Sequence, residues 1–357
     1  MRHRIRRSRN RKIMVPLFLI ALTLVFGLVF GRGPARANHL DPSKIIPDVP
    51  KDAIPPLDTP EYVTAAEADR WLDDDDIILG FEWNEDARAY PIRIMNWHEI
   101  VNDTIGGLEV VVTYCPLCRS GIVFERHLNN GQLLSFGNTG ALFESDMVMY
   151  DRETESYWFQ IRGEAITGKL HGKRMKVLPS NMMLWSDWLE LYPDTQVLSL
   201  STGYERPYAI DIYEFQGYNR VNSRPAFPVS IRDDRLRPKE TVIGLEIGDQ
   251  WKAYSITQLG DRVIHDTVGG RDVVVFVREA ALSGAVFDPH LNGTRIEFTL
   301  QDGQIRDLET GSAWDLRGEA ISGPRAGDRL ERIPISNTFW FAWVVAFPQT
   351  DVYREGR

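Results

Sequence analysis

Residues 110–124 read Val-Val-Val-Thr-Tyr-Cys-Pro-Leu-Cys-Arg-Ser-Gly-Ile-Val-Phe, and residues 273–287 read Val-Val-Val-Phe-Val-Arg-Glu-Ala-Ala-Leu-Ser-Gly-Ala-Val-Phe. Each stretch is an apolar run, a small-residue turn and a second apolar run, the signature of two strands joined by a short loop. The two differ in the loop, where Cys115 faces Arg278 and Cys118 faces Ala281. What both stretches keep reads as scaffold. What only the first has, including both cysteines of the chain, reads as chemistry.

The correspondence extends outward on both sides. Gly80 and Ala89-Tyr90 match Gly244 and Ala253-Tyr254, and Arg162-Gly163-Glu164-Ala165-Ile166 matches Arg317-Gly318-Glu319-Ala320-Ile321. Trp185, Trp188 and Pro193 match Trp340, Trp343 and Pro348. A period this long implies duplication of a domain-sized unit rather than a solenoid. Asp151, Glu164, Trp158 and His127 all have twins (Asp307, Glu319, Trp314, His290) and therefore read as scaffold. His98 and Glu99 face Asp261 and Arg262, so they change together with the cysteines.

Short alternating runs separated by Asn-Glu-Asp, Gly-Gly and Asn-Asn-Gly turns predict hairpins throughout. A helix is expected over residues 181–191, capped by Ser180 or Asn181 and stopped by Pro193. The fold class expected is mainly β (α+β), an internal duplication of a hairpin-rich unit with one C-terminal helix per unit. Its parts are an extended leader at 38–60, unit one at 61–199, an aromatic connecting strap at 200–240, and unit two at 241–357, degenerate and without cysteines. The Tyr content of the strap favours a segment packed across both units over a free linker.

Residues 1–37 are read as a signal peptide or signal anchor. Seven basic residues within the first twelve precede an apolar run at 13–30 and an Ala35-Arg36-Ala37 cleavage pattern. An exported protein is expected, periplasmic or extracellular, with a membrane attachment only if the 13–30 run is retained. That segment holds nine of the 41 Lys/Arg and none of the 50 Asp/Glu, so the other 320 residues carry 32 basic against 50 acidic side chains. A field of that sign disfavours nucleic acid and anionic lipid as partners and favours cations. An envelope partner or a small substrate is expected instead. Asp73 to Asp76 form the densest acidic run, but they lack the spaced oxygen ligands of a calcium loop.

Two cysteines three apart close too small a loop for a useful structural disulfide. A thioredoxin-like site needs a helix after the first thiol, whereas Arg119-Ser120-Gly121-Ile122-Val123-Phe124 reads as a turn entering a strand. Strand, Cys-Pro-Leu-Cys and strand together resemble the metal knuckle of rubredoxins and zinc ribbons. With a single knuckle, further ligands must come from elsewhere. The metal ligands expected are Cys115, Cys118 and His98, a set suited to copper or zinc. Glu99, Asn138, Arg152 and Gln160 are candidates for lining the site, and no nucleotide cofactor is indicated.

The motifs Tyr114-Cys115-Pro116-Leu117-Cys118, Asn96-Trp97-His98-Glu99-Ile100-Val101-Asn102-Asp103 and Tyr150-Asp151-Arg152-Glu153-Thr154-Glu155-Ser156-Tyr157-Trp158 resemble a family of exported prokaryotic proteins catalogued as domain of unknown function 3179. The resemblance runs over nearly all of the chain after the N-terminal segment and implies no reaction. Arg119 stands where that family more often has glycine. Three functions compete: a metal-binding protein, a thiol–disulfide oxidoreductase or redox sensor, and an envelope surface binding module using exposed Trp and Tyr.

Overall fold

Tight turns between apolar runs set the architecture. Asn84 and Glu85 both adopt positive φ (49° and 66°) between the antiparallel strands Ile77–Trp83 and Asp86–Pro91. Glu144 and Ser145 do the same (54° and 64°) between Phe136–Phe143 and Asp146–Asp151. Two successive positive φ values match the right-handed strand twist and close hairpins tightly. The computed structural model describes residues 40–356, and the export segment expected at 1–37 lies outside them. Among the described residues no helix is long and apolar enough to cross a membrane.

The fold is mainly β, with several antiparallel sheets. Ile100–Ile105, Leu108–Cys115 and Ser120–Glu125 form a meander. Through the pair Asn337–Gly121 this meander joins Ile335–Phe339, Thr241–Ile247, Gln250–Ser255 and Asp351–Val352, so one sheet runs through both halves of the chain. In the first half Asn181–Leu184, Ile77–Trp83, Asp86–Pro91 and Gln196–Leu198 lie in that order, the last pair parallel. The second half has Ile335–Phe339, Thr241–Ile247, Gln250–Ser255 and Asp351–Val352 in the same order, again with the last pair parallel.

The helix expected from residue 181 starts later, at Trp185, and runs to Leu191. Asn181 to Leu184 pair instead with Gly80 to Ile77, so sheet hydrogen bonds claim the backbone that a cap would have used. A second seven-residue helix, Trp340–Ala346, likewise follows a strand, and neither helix has a side-chain N-cap. Packing holds both helices in place. A Cβ on Gly80 would sit 2.3 Å from the Trp188 ring, and one on Gly244 would sit 2.4 Å from the Trp343 ring. Only glycine admits each indole to the sheet.

Leader and strap both dock. Ile46 and Pro47 pair with Leu142 and Ala141, Leu57 N–H donates to Ile100 O (2.9 Å), and Tyr150 Oη donates to Asp52 (2.6 Å). In the strap, Tyr208 reaches His98, and Tyr218 donates to the Leu117 carbonyl at 2.8 Å. One apolar core contains Cys115, Cys118, Phe124, Met147 and Trp158 together with Trp340, Phe341 and Trp343. The cysteines thus lie in a core built from both halves.

Candidate metal centre

Alternation along Leu108–Cys115 sorts its side chains. Val110, Val112 and Tyr114 enter one apolar core, while Val111 and Cys115 enter the other. The chain then turns through Pro116 and Leu117, and Cys115 pairs with Ser120 across the loop. Arg119 takes the left-handed conformation (φ 50°), which explains why a glycine suits this position. Outside contacts fix the loop: Phe339 N–H and Thr338 Oγ1 both donate to the Cys118 carbonyl at 2.9 Å.

Asp146 is the first residue after the Glu144-Ser145 turn, and that position aims its carboxylate at the thiols. Cys118 Sγ lies 2.8 Å from Asp146 Oδ1 and 3.3 Å from Ser120 Oγ. Oδ2 of Asp146 accepts from Ile161 N–H at 3.0 Å. One ligand atom from each of Cys115, Cys118 and Asp146 falls within 4.8 Å of the other two, and all three residues are buried. Ser120 Oγ donates to Gln160 Oε1 (2.8 Å), whose amide donates to Thr113 Oγ1 (2.9 Å), so Gln160 braces the strand pair that carries the cysteines.

Glu99 ends the helix Ile92–His98 in a left-handed conformation (φ 59°) and is buried. Asn138 Nδ2 donates to its carboxyl at 2.6 Å. The reversal at Glu99 also sends its neighbour elsewhere. His98 donates from Nδ1 to the Pro55 carbonyl (2.8 Å), and its Nε2 accepts from Tyr208 Oη (2.6 Å). A carbonyl only accepts, so the neutral ring has this tautomer. His98 is therefore occupied at both nitrogens and is not among the residues gathered at the thiols. Arg152 lies apart as well, in a bidentate ion pair with Asp58 (2.8 and 3.0 Å).

Burial dominates the electrostatics of the cluster. It pushes the Cys115 and Cys118 thiols above the usual thiol range, and each thiol is raised further by the charge of Asp146. Asp146 itself is pushed up to about 6, and Glu99 to about 8, in part by the charge of Asp146. Four acidic groups thus lie close together in a buried place. Protons or a cation must balance them. The strap closes the site from outside, with Tyr213 and Tyr218 meeting edge to face at 5.9 Å.

The family model described as Protein of unknown function (DUF3179) matches residues 51–350. The chain belongs to that family. The match takes in the whole knuckle, Asp146, Glu99 and the strap of this DUF3179 protein. No curated protein and no solved structure matches the chain.

Asp146 is the residue of this cluster that no motif in the sequence marks. The hairpin that carries Asp146 is two residues longer on its second strand than its counterpart Gln304–Asp307. Counting back from the paired aspartates, Asp146 falls in the extra length. That difference was the available signal.

Proposed function

We propose that Cys115, Cys118 and Asp146 bind a divalent transition metal, zinc before copper, with Glu99 beside the remaining coordination position. The observation that carries this reading is the convergence of two thiol sulfurs and one carboxylate oxygen within 4.8 Å in a buried place. Mixed sulfur and oxygen donors suit zinc, whereas copper(I) favours an all-soft set. Three protein ligands with an open position are the pattern of reactive zinc sites rather than closed structural ones.

A redox dithiol finds less support. The strand Ser120–Glu125 follows the knuckle directly, without a helix whose N-terminus would stabilise a thiolate, and burial raises both thiols. An exported location, a small substrate at the open position and descent of the two halves from one duplicated unit complete the proposal. The basic and apolar N-terminus supports the first, and the recurring strand order supports the last.

Loading the purified chain with cobalt(II) tests the ligand set. Sulfur-to-cobalt charge-transfer absorption in the near ultraviolet is expected, and it should weaken in Cys115→Ser and vanish in the double serine variant. A spectrum lacking that band rules out thiolate ligation.

A further inference from the structure

A second feature lies where first-half and second-half segments meet, away from the cysteine cluster in sequence. The strand Glu331–Ile333 pairs with Val286 to Asp288, placing Arg332 opposite Phe287. The Nη2 of Arg332 is buried and has no hydrogen-bond partner. It lines a cavity of about 280 Å³ together with Glu82, Trp83, Tyr192, Arg317 and Arg329. The lining brings Arg317, Arg329 and Arg332 together beside Glu82, with Asp315 and Glu319 on the Arg317 side.

The other two arginines already have partners. Arg317 is held by Asp315 (2.7 Å) and Glu319 (3.4 Å), and its guanidinium carbon lies 5.6 Å from the centre of the Tyr192 ring. Arg329 reaches Glu82 at 3.4 Å, which leaves the Arg332 Nη2 as the buried donor without a partner. A buried guanidinium N–H left without an acceptor is costly unless one joins it. The chain as a whole is acidic, at −9, so a basic cavity is not its general background.

We infer that this cavity binds a small oxyanion, a phosphate or a carboxylate, through Arg332 with Arg329 beside it. The planar guanidinium fork offers paired donors to either group. The aromatic walls supplied by Trp83 and Tyr192 suit an anion with a compact apolar portion. Burial disfavours the Arg332 charge and Arg329 adds to this, while Tyr192, Glu82 and Asp315 oppose it; a bound anion would add to the opposing side.

Thermal unfolding of the full chain, as purified and without chelator, tests this inference. Inorganic phosphate and acetate are the probes, each compared with sodium chloride at equal ionic strength. At about ten times its Kd, the bound ion should raise Tm by about 2 °C. The shift should disappear in Arg332→Met, a variant that in chloride alone should be at least as stable as the parent. Phosphate alone, acetate alone or both acting identifies the ligand class. No shift with either ion, or an equal shift in Arg332→Met, overturns the inference. Arg329→Gln, altered at a half-exposed side chain (54%), provides a second variant that should weaken the effect severalfold; an unchanged response there also counts against the site.

Discussion

Cys118 Sγ and Asp146 Oδ1 lie 2.8 Å apart although 28 residues separate them in the chain. The thiol comes from a loop between two strands of one sheet, the carboxylate from the first residue after a hairpin turn of another. Asp146→Asn keeps an oxygen for Ile161 N–H but removes the anionic ligand. Zinc affinity, measured by competition with a chromophoric chelator, should fall by more than the ~10–100-fold typical of an outer-shell change. Full affinity in this variant would remove Asp146 from the ligand set.

The metal-free protein should lose stability as pH rises. Asp146 and Glu99 hold their protons more tightly folded than unfolded, so the native state binds the extra protons and alkali opposes folding. For Asp146 the loss runs from the ordinary 3.8 to about 6, and for Glu99 from 4.5 to about 8. Tm followed by circular dichroism in chelator should decline across that window. Glu99→Gln should flatten the upper part, between about 6 and about 8. A parent and a variant with the same slope would show that Glu99 is not held in its neutral form.

Gly80→Ala and Gly244→Ala should be similarly harmful. Each new methyl would meet an indole ring, at 2.3 Å from Trp188 and 2.4 Å from Trp343. Overpacking of this kind costs ~1–3 kcal/mol. Urea midpoints measure it, and tolerance at one position with damage at the other would mean that the two halves pack differently.

Asp151 and Asp307 should matter to folding and not to metal. Asp151 accepts from Trp158 Nε1 (2.9 Å) and Thr154 N (2.6 Å), and Asp307 accepts from Trp314 Nε1 (2.9 Å) and Thr310 N (2.6 Å). Alanine at either position leaves buried donors unpaired, at ~1–3 kcal/mol each. Calorimetry should show lower Tm in both variants, with zinc stoichiometry unchanged in Asp151→Ala. A loss of metal there would move Asp151 from scaffold to site.

Hairpins were legible because alternation and turn residues are local properties of the chain. Asn84-Glu85 and Gly106-Gly107 mark turns whatever surrounds them. The matched aspartates were legible as a pair in like surroundings because their partners, Trp158 and Trp314, lie seven residues away in each half. The helix start was misplaced because Asn181 to Leu184 have helix-compatible residues, and only pairing with Ile77 to Gly80 settles them as strand.

The cysteine pair was visible as a motif, but its third partner was not. His98 is the ligand the sequence offers because it changes together with the cysteines between the two stretches, yet the left-handed turn at Glu99 directs the imidazole to Pro55 and Tyr208. Asp146 has no motif of its own; strand pairing and the length of one hairpin bring it in. Asn138 and Gln160 are hydrogen-bond partners of Glu99 and Ser120. Arg152 instead tethers the leader through Asp58.

Zinc content per chain is the most direct measurement, taken by elemental analysis after loading and extensive dialysis, with the parent compared to Cys118→Ser. One zinc per parent chain and a large loss in the variant are expected. A parent that retains none, or a variant that retains as much as the parent, would contradict a metal centre at Cys115, Cys118 and Asp146.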